Sequence, residues 1–152
     1  MPSIAQSHRL RSGRFSEHGR IYSVTSKTHN RQPIFEDFWL GRTLVKEMKK
    51  TNDSGLVCSL AWVIMPDHFH WLFELKQGTL DGLVRRVKSR SAIAINKQRG
   101  TDGRFWQTGF HDTAVRHDEN LHQFARYIVA NPLRAGLVDR VSDYPLWDAV
   151  WL

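Results

Sequence analysis

The sequence predicts an α+β domain, an antiparallel sheet with helices on one face, and three observations carry that prediction. Strand-like and helix-like stretches alternate in the order β-α-β-β-α-β before a last helix. The two middle strands, LVCSLAWVIM at 56–65 and HFHWLFEL at 68–75, are separated only by Pro66 and Asp67, a turn that sends the chain back on itself. The chain's 152 residues, 41% of them hydrophobic, suffice for one core without disulfide or metal staples. An element order of this kind is the split βαβ, ferredoxin-like plan, here with an additional C-terminal helix.

Taken in order, residues 1–19 are polar and basic, lack an apolar period and read as a flexible arm that includes Arg9, Arg11 and Arg14. The domain proper is expected over 20–140, and 141–152 as a tail that packs on it or contacts a partner. IYSVTSKT at 21–28 mixes β-branched and aromatic residues as strands do. Leu40, Leu44, Val45 and Met48 share one helical face within 36–50. LVCSLAWVIM is apolar at both parities, which suits a central strand covered on each side. Leu80, Leu83, Val84 and Val87 form the stripe of a helix over 79–98, with Thr79 as its cap and Arg85, Arg86, Lys88 and Arg90 on the other side. Gly100 and Gly103 break that helix, and RFWQTGFHDTAV supplies a further strand or short hairpin, with Trp106 read as exposed or as core. The last helix is expected from near Asp118 to a stop at Pro132, and the remainder of the chain as irregular.

Charge narrows the class of partner. Twenty-two Lys and Arg against fifteen Asp and Glu leave +7, an excess that favours a polyanion. The longest apolar run, 56–65, is about half of the ~20 residues a membrane helix needs, so no membrane is expected. The first fifteen residues contain no apolar stretch of the signal-peptide kind. A single cysteine, Cys58, excludes an intrachain disulfide and fits a reducing cytoplasm.

The chemistry concentrates in MPDHFHW at 65–71. Along a strand His68, His70, Leu72 and Glu74 point to one face, and Phe69, Trp71, Phe73 and Leu75 point to the other, which must be core. The two imidazoles start roughly 6–7 Å apart at Cβ, close enough to share one ion. Two half-buried structural histidines are the competing reading. On the last helix Leu121, Phe124, Ala125 and Ile128 form the apolar arc, with Tyr127 and Asn131 together on its flank, about 40° apart. If that flank faces the strand, Asn131 offers an amide oxygen as third ligand and Tyr127 stands beside the ion. Two imidazoles and an oxygen with open positions suit Mg2+ or Mn2+ acting on phosphate.

Four segments, VTSKTHNRQPIF, MPDHFHWL, FWQTGFHDTAV and ARYIVANPLRAGLV, together resemble the REP-associated tyrosine transposases, one-tyrosine members of the HUH endonuclease superfamily. The resemblance runs from about residue 20 to 140, with the four motifs in the family's order. It implies the ferredoxin-like fold, His68 and His70 as metal ligands with Asn131 as the third, and Tyr127 as nucleophile. It further implies cleavage and rejoining of single-stranded DNA at hairpin-forming repeats through a 5′-phosphotyrosine, with Mg2+ or Mn2+. A cytoplasmic, nucleoid-associated bacterial protein, acting as monomer or homodimer, is the expected setting. Arg85, Arg86, Lys88 and Arg134, with the arm's Arg9, Arg11 and Arg14, are the expected DNA contacts, and His111 or Asp112 the candidate bases. A non-catalytic nucleic-acid-binding module and a metal-dependent nuclease using water are the alternatives.

Overall fold

The computed structural model describes residues 16–116 and 120–150. It contains β1 (Ile21–Lys27), α1 (Phe38–Asp53), β2 (Val57–Met65), β3 (His68–Leu75), α2 (Leu80–Arg99), β4 (His111–Val115), α3 (Leu121–Val129), the short α4 (Asn131–Arg134) and β5 (Trp147–Ala149). Every neighbouring pair in the sheet is antiparallel, in the order β4-β1-β3-β2-β5. The first four strands reproduce the split βαβ plan, and β5 adds a strand at the β2 edge that the irregular-looking tail did not announce. β3 lies at the centre of the five, and the apolar β2 is an interior strand covered on both faces, as its sequence predicts.

Local chemistry sets the helix boundaries. The Asp37 side chain accepts from the backbone N–H groups of Trp39 and Leu40 at the start of α1, and Thr79 accepts from Gly82 at the start of α2. Gly100 ends α2 in the left-handed region that glycine enters without steric cost. α3 begins at Leu121 under an Asn120 cap, while the expected start near Asp118 lies outside the described residues. Pro132 does not stop the chain's helical path. The break falls at Ala130, and the proline sits in the first turn of α4, where its missing N–H costs nothing.

Two apolar layers flank the sheet. Val24, Trp71, Phe73 and Leu75 pack with Leu44, Leu83, Val84 and Val87 under α1 and α2. On the other face Ala61, Val63, Met65 and Leu72 pack with Ala125, Ile128 and Val129 of α3. β2 reaches both layers through an irregularity between Ser59 and Ala61. Val57 and Ser59 pair with Leu75 and Phe73, whose face lies under α1 and α2, whereas Ala61 and Val63 pair with Leu72 and His70, whose face lies under α3. The β-bulge exchanges which parity faces which layer, and the segment looks apolar at both parities because both faces are covered: downstream of the bulge Ile64 packs in one layer and Val63 and Met65 in the other.

Residues 16–19, read as the end of the arm, are tied to the body. Leu80 N–H donates to Ser16 Oγ at 2.7 Å, and Gly19 N–H to the Leu75 carbonyl at 2.7 Å. Arg9, Arg11 and Arg14 lie outside the described residues. Trp106, read as possibly exposed, is 6% exposed and packs edge-on to Phe69, so it belongs to the core. Among the described residues no helix is long and apolar enough to cross a membrane.

Candidate nucleotidyl-transfer site

β3 carries both histidines on the face that α3 covers. In the sheet His70 lies opposite Thr25 of β1 and Val63 of β2, and His68 lies opposite Lys27 and Met65. Their rings are perpendicular, with centroids 4.9 Å apart. Each ring is held through the same nitrogen. His70 Nδ1 shares a 2.8 Å hydrogen bond with Thr25 Oγ1, and His68 Nδ1–H donates to Asp67 Oδ1 at 2.6 Å. Both Nε2 atoms are thereby left for another partner, the arrangement in which an outer bond sets the tautomer of a metal-binding histidine.

The electrostatics favour a neutral His70. Burial pushes the His70 imidazole down to about 4, helped by the positive charges of His68, Arg134 and Lys27, so the ring is unprotonated near neutrality. Burial alone would raise the Asp67 carboxyl, but hydrogen bonds from His68 and Arg31 outweigh it and hold the group below its ordinary value. Asp67 is thus an anion that accepts from both sides, with Arg31 Nε–H donating to Oδ2 at 2.8 Å. Among the described residues no cluster of three or more His, Cys, Asp or Glu side chains is suited to a metal. The two imidazoles therefore fit a divalent ion only with oxygen donors of another kind, an amide or the substrate itself.

Tyr127 and Asn131 come from the helical arm laid over this face. α3 presents its apolar side to β2, β3 and β5, and the Tyr127 ring, 65% exposed, projects from its rim. Asn131, beyond the Ala130 break, donates its Nδ2–H to the Ile128 carbonyl at 2.8 Å, which fixes the side chain and leaves Oδ1 to accept or ligate. The Arg134 guanidinium carbon stands 3.7 Å from the centre of the Tyr127 ring, a cation–π stack, while its charge also acts on His70.

The other expected residues divide by face. His111 pairs with Thr25 across β4 and β1, so it shares the face of His70, and its Nδ1 is buried without a partner. Asp112 pairs with Val24 and points to the α1/α2 side, away from the histidines. Arg85 and Arg86 are exposed on α2, across the sheet from the histidines. Lys88 is engaged structurally. Its Nζ donates to the carbonyls of Gln107 and Gly109 at 2.8 and 2.7 Å, and burial lowers the amine to about 8. Thr25, Lys27, Arg31 and Asp67 were not singled out from the sequence. Strand register alone brings the first two opposite the H-x-H pair, and only the adjacency of Asp67 to His68 was visible beforehand.

Comparison with known proteins identifies the family. The family model described as "Transposase IS200 like" matches residues 18–131. The chain is 31% identical over 127 residues to the REP-associated tyrosine transposase of Escherichia coli K12, an alignment spanning 82% of this chain and 72% of that protein. The solved structure of a REP-associated tyrosine transposase bound to a REP hairpin superposes with a TM-score of 0.72 at 23% identity, covering 88% of this chain and 79% of the other, and so shares the fold. With the family model spanning most of the chain, this protein belongs to the IS200-like transposase family and is a transposase of the REP-associated tyrosine type.

Proposed function

We propose that this transposase cleaves and rejoins single-stranded DNA beside hairpin-forming repeats, with Tyr127 as nucleophile and His68, His70 and Asn131 as the protein's ligands for Mg2+ or Mn2+. The observation that carries the reading is Arg134, which stacks on the Tyr127 ring at 3.7 Å and whose charge is felt by His70. A phosphodiester brought to the two Nε2 atoms would meet the phenol next to a guanidinium. A bound divalent ion would polarise that phosphate and offset the charge that gathers on its oxygens.

The chain's own residues do the rest. The Tyr127 oxygen attacks phosphorus, the bond from phosphorus to the 3′ oxygen breaks, and a proton restores the departing strand's 3′-hydroxyl. The 5′ end stays on the protein as a phosphotyrosine. Attack by a second 3′-hydroxyl reverses the step and returns the phenol, so no nucleotide cofactor is needed. Of the two candidate bases for the phenol proton, His111 is the one on the face of His70. Arg134 and Lys27 border the site where the scissile phosphate would lie. Arg85 and Arg86, on the far layer, would serve the outer part of a hairpin, and Arg9, Arg11 and Arg14 of the amino-terminal segment its flanking strand. The hairpin in the solved relative supports the substrate class.

Incubation of labelled single-stranded hairpin DNA with protein and Mn2+ tests the proposal. The wild type should give a protein–DNA adduct that survives denaturation, and Tyr127→Phe should give neither adduct nor cleavage. Cleavage retained by Tyr127→Phe would establish water as nucleophile. DNA binding with no cleavage by the wild type would reduce the protein to a binding module.

A further inference from the structure

Between β1 and α1 the backbone does something it does nowhere else in the described residues. Asn30 and Arg31 adopt φ of 56° and 54°, in succession, whereas every other described residue with positive φ is glycine. Asparagine tolerates this region through its short polar side chain, but arginine has no such excuse, and strain of this kind persists only where surrounding bonds enforce it. Hydrogen bonds on either side enforce it. Arg31 N–H donates to the Thr28 carbonyl, Thr28 N–H donates to the Asp67 carbonyl at 2.9 Å, and the Thr28 hydroxyl donates to the Gln32 carbonyl at 2.8 Å. Phe35 N–H closes the other side on the Pro66 carbonyl at 2.9 Å. The strained turn is thereby sewn to the β2–β3 turn, and its product is one contact, Arg31 Nε–H on Asp67 Oδ2 at 2.8 Å.

We infer that Arg31 is a positioning residue for the metal site, acting through Asp67 on His68; this rests on the metal reading of the histidine pair. The guanidinium fixes one carboxylate oxygen, so the other is held at 2.6 Å from His68 Nδ1. The His68 ring then has one tautomer and one plane, with Nε2 aimed beside that of His70. A carboxylate free to rotate would let the ring swing along its strand. Glycine at position 31 would relieve the backbone but could not supply the donor, which accounts for an arginine where the conformation favours glycine.

Manganese binding to the DNA-free protein, followed by calorimetry, tests the inference without relying on turnover. The expected losses are about 10-fold for Arg31→Ala and about 10- to 100-fold for Asp67→Ala, the range seen when a partner of a metal-binding histidine is removed. Because both act along one chain of bonds, the double variant should bind no more weakly than Asp67→Ala alone. Wild-type affinity in Arg31→Ala, or losses that simply add, would overturn the inference. Thermal melts of the metal-free variants, with Arg31→Gln as the milder change, separate a loosened ring from a lost fold: Arg31→Gln should melt as the wild type does and still bind less metal. Absence of manganese binding by the wild type, or full binding by His68→Ala, would instead overturn the metal reading itself.

Discussion

Single bonds decide what the histidine pair can do. The Thr25 hydroxyl is the only side-chain partner of His70 Nδ1 among the described contacts, in a half-buried setting where an unpaired ring nitrogen costs roughly 1–3 kcal/mol. Thr25→Val keeps the shape and removes the bond. It should lower stability by about that amount in urea titrations and weaken Mn2+ binding about 10-fold, whereas Thr25→Ser should retain most of both. The histidines were legible in advance because strand alternation alone puts His68 and His70 on one face. Thr25 was not, because it is 45 residues away in sequence and meets His70 only through the β1–β3 register. Arg31 was hidden more deeply still, since nothing in HNRQP announces two successive left-handed residues.

At the level of elements, the tail is a working part of the sheet. Leu146, 2% exposed, packs against α1 at Gly41, where a Cβ would lie 2.5 Å from Leu146 Cδ1. Gly41 is therefore the residue that lets α1 close on Leu146, just ahead of β5. The Leu146 carbonyl accepts from Ile64 N–H at 2.9 Å, so the leucine is anchored by backbone as well as by contact. Leu146→Ala should cost about 2–5 kcal/mol in equilibrium unfolding, the usual range for a buried leucine whose neighbours cannot collapse into the space. The sequence concealed β5 because three residues are too short for alternation to register. By contrast α1 was visible through its apolar stripe, and α2 through its stripe and the Thr79 cap. The hinge at Ala130 escaped for another reason: Pro132 reads as a terminator, yet a proline in a first helical turn is as natural as one beyond a last turn.

For the molecule as a whole, the two faces divide labour. One face, under α1 and α2, holds most of the aromatic core, and the other carries the histidines, Lys27 and the α3–α4 arm with Tyr127 and Arg134. The tail is stitched to this body by Tyr144, whose hydroxyl donates to the Ile64 carbonyl at 2.5 Å and whose phenol burial pushes up to about 12 from 10.0. Because the folded state holds this proton more tightly, the unfolded chain ionises first as pH rises. The stabilisation is complete below pH 10.0 and is lost between 10.0 and about 12. The wild type should therefore lose more stability than Tyr144→Phe across that window, measured by urea unfolding at each pH. Division into faces could not be read from composition, since +7 says only that a polyanion is welcome and not on which side.

The irregular step at Leu60 carries a consequence for how this chain can vary. Upstream of it the odd-numbered residues Val57 and Ser59 look toward one layer, and downstream Ala61, Val63 and Met65 look toward the other. Ser59 and Ala61 pair with the consecutive residues Phe73 and Leu72, so removing Leu60 would close the bulge and leave Trp62 and Ile64 beneath α1 and α2, where they already pack. This one position can therefore be lost without turning over the side chains that follow it.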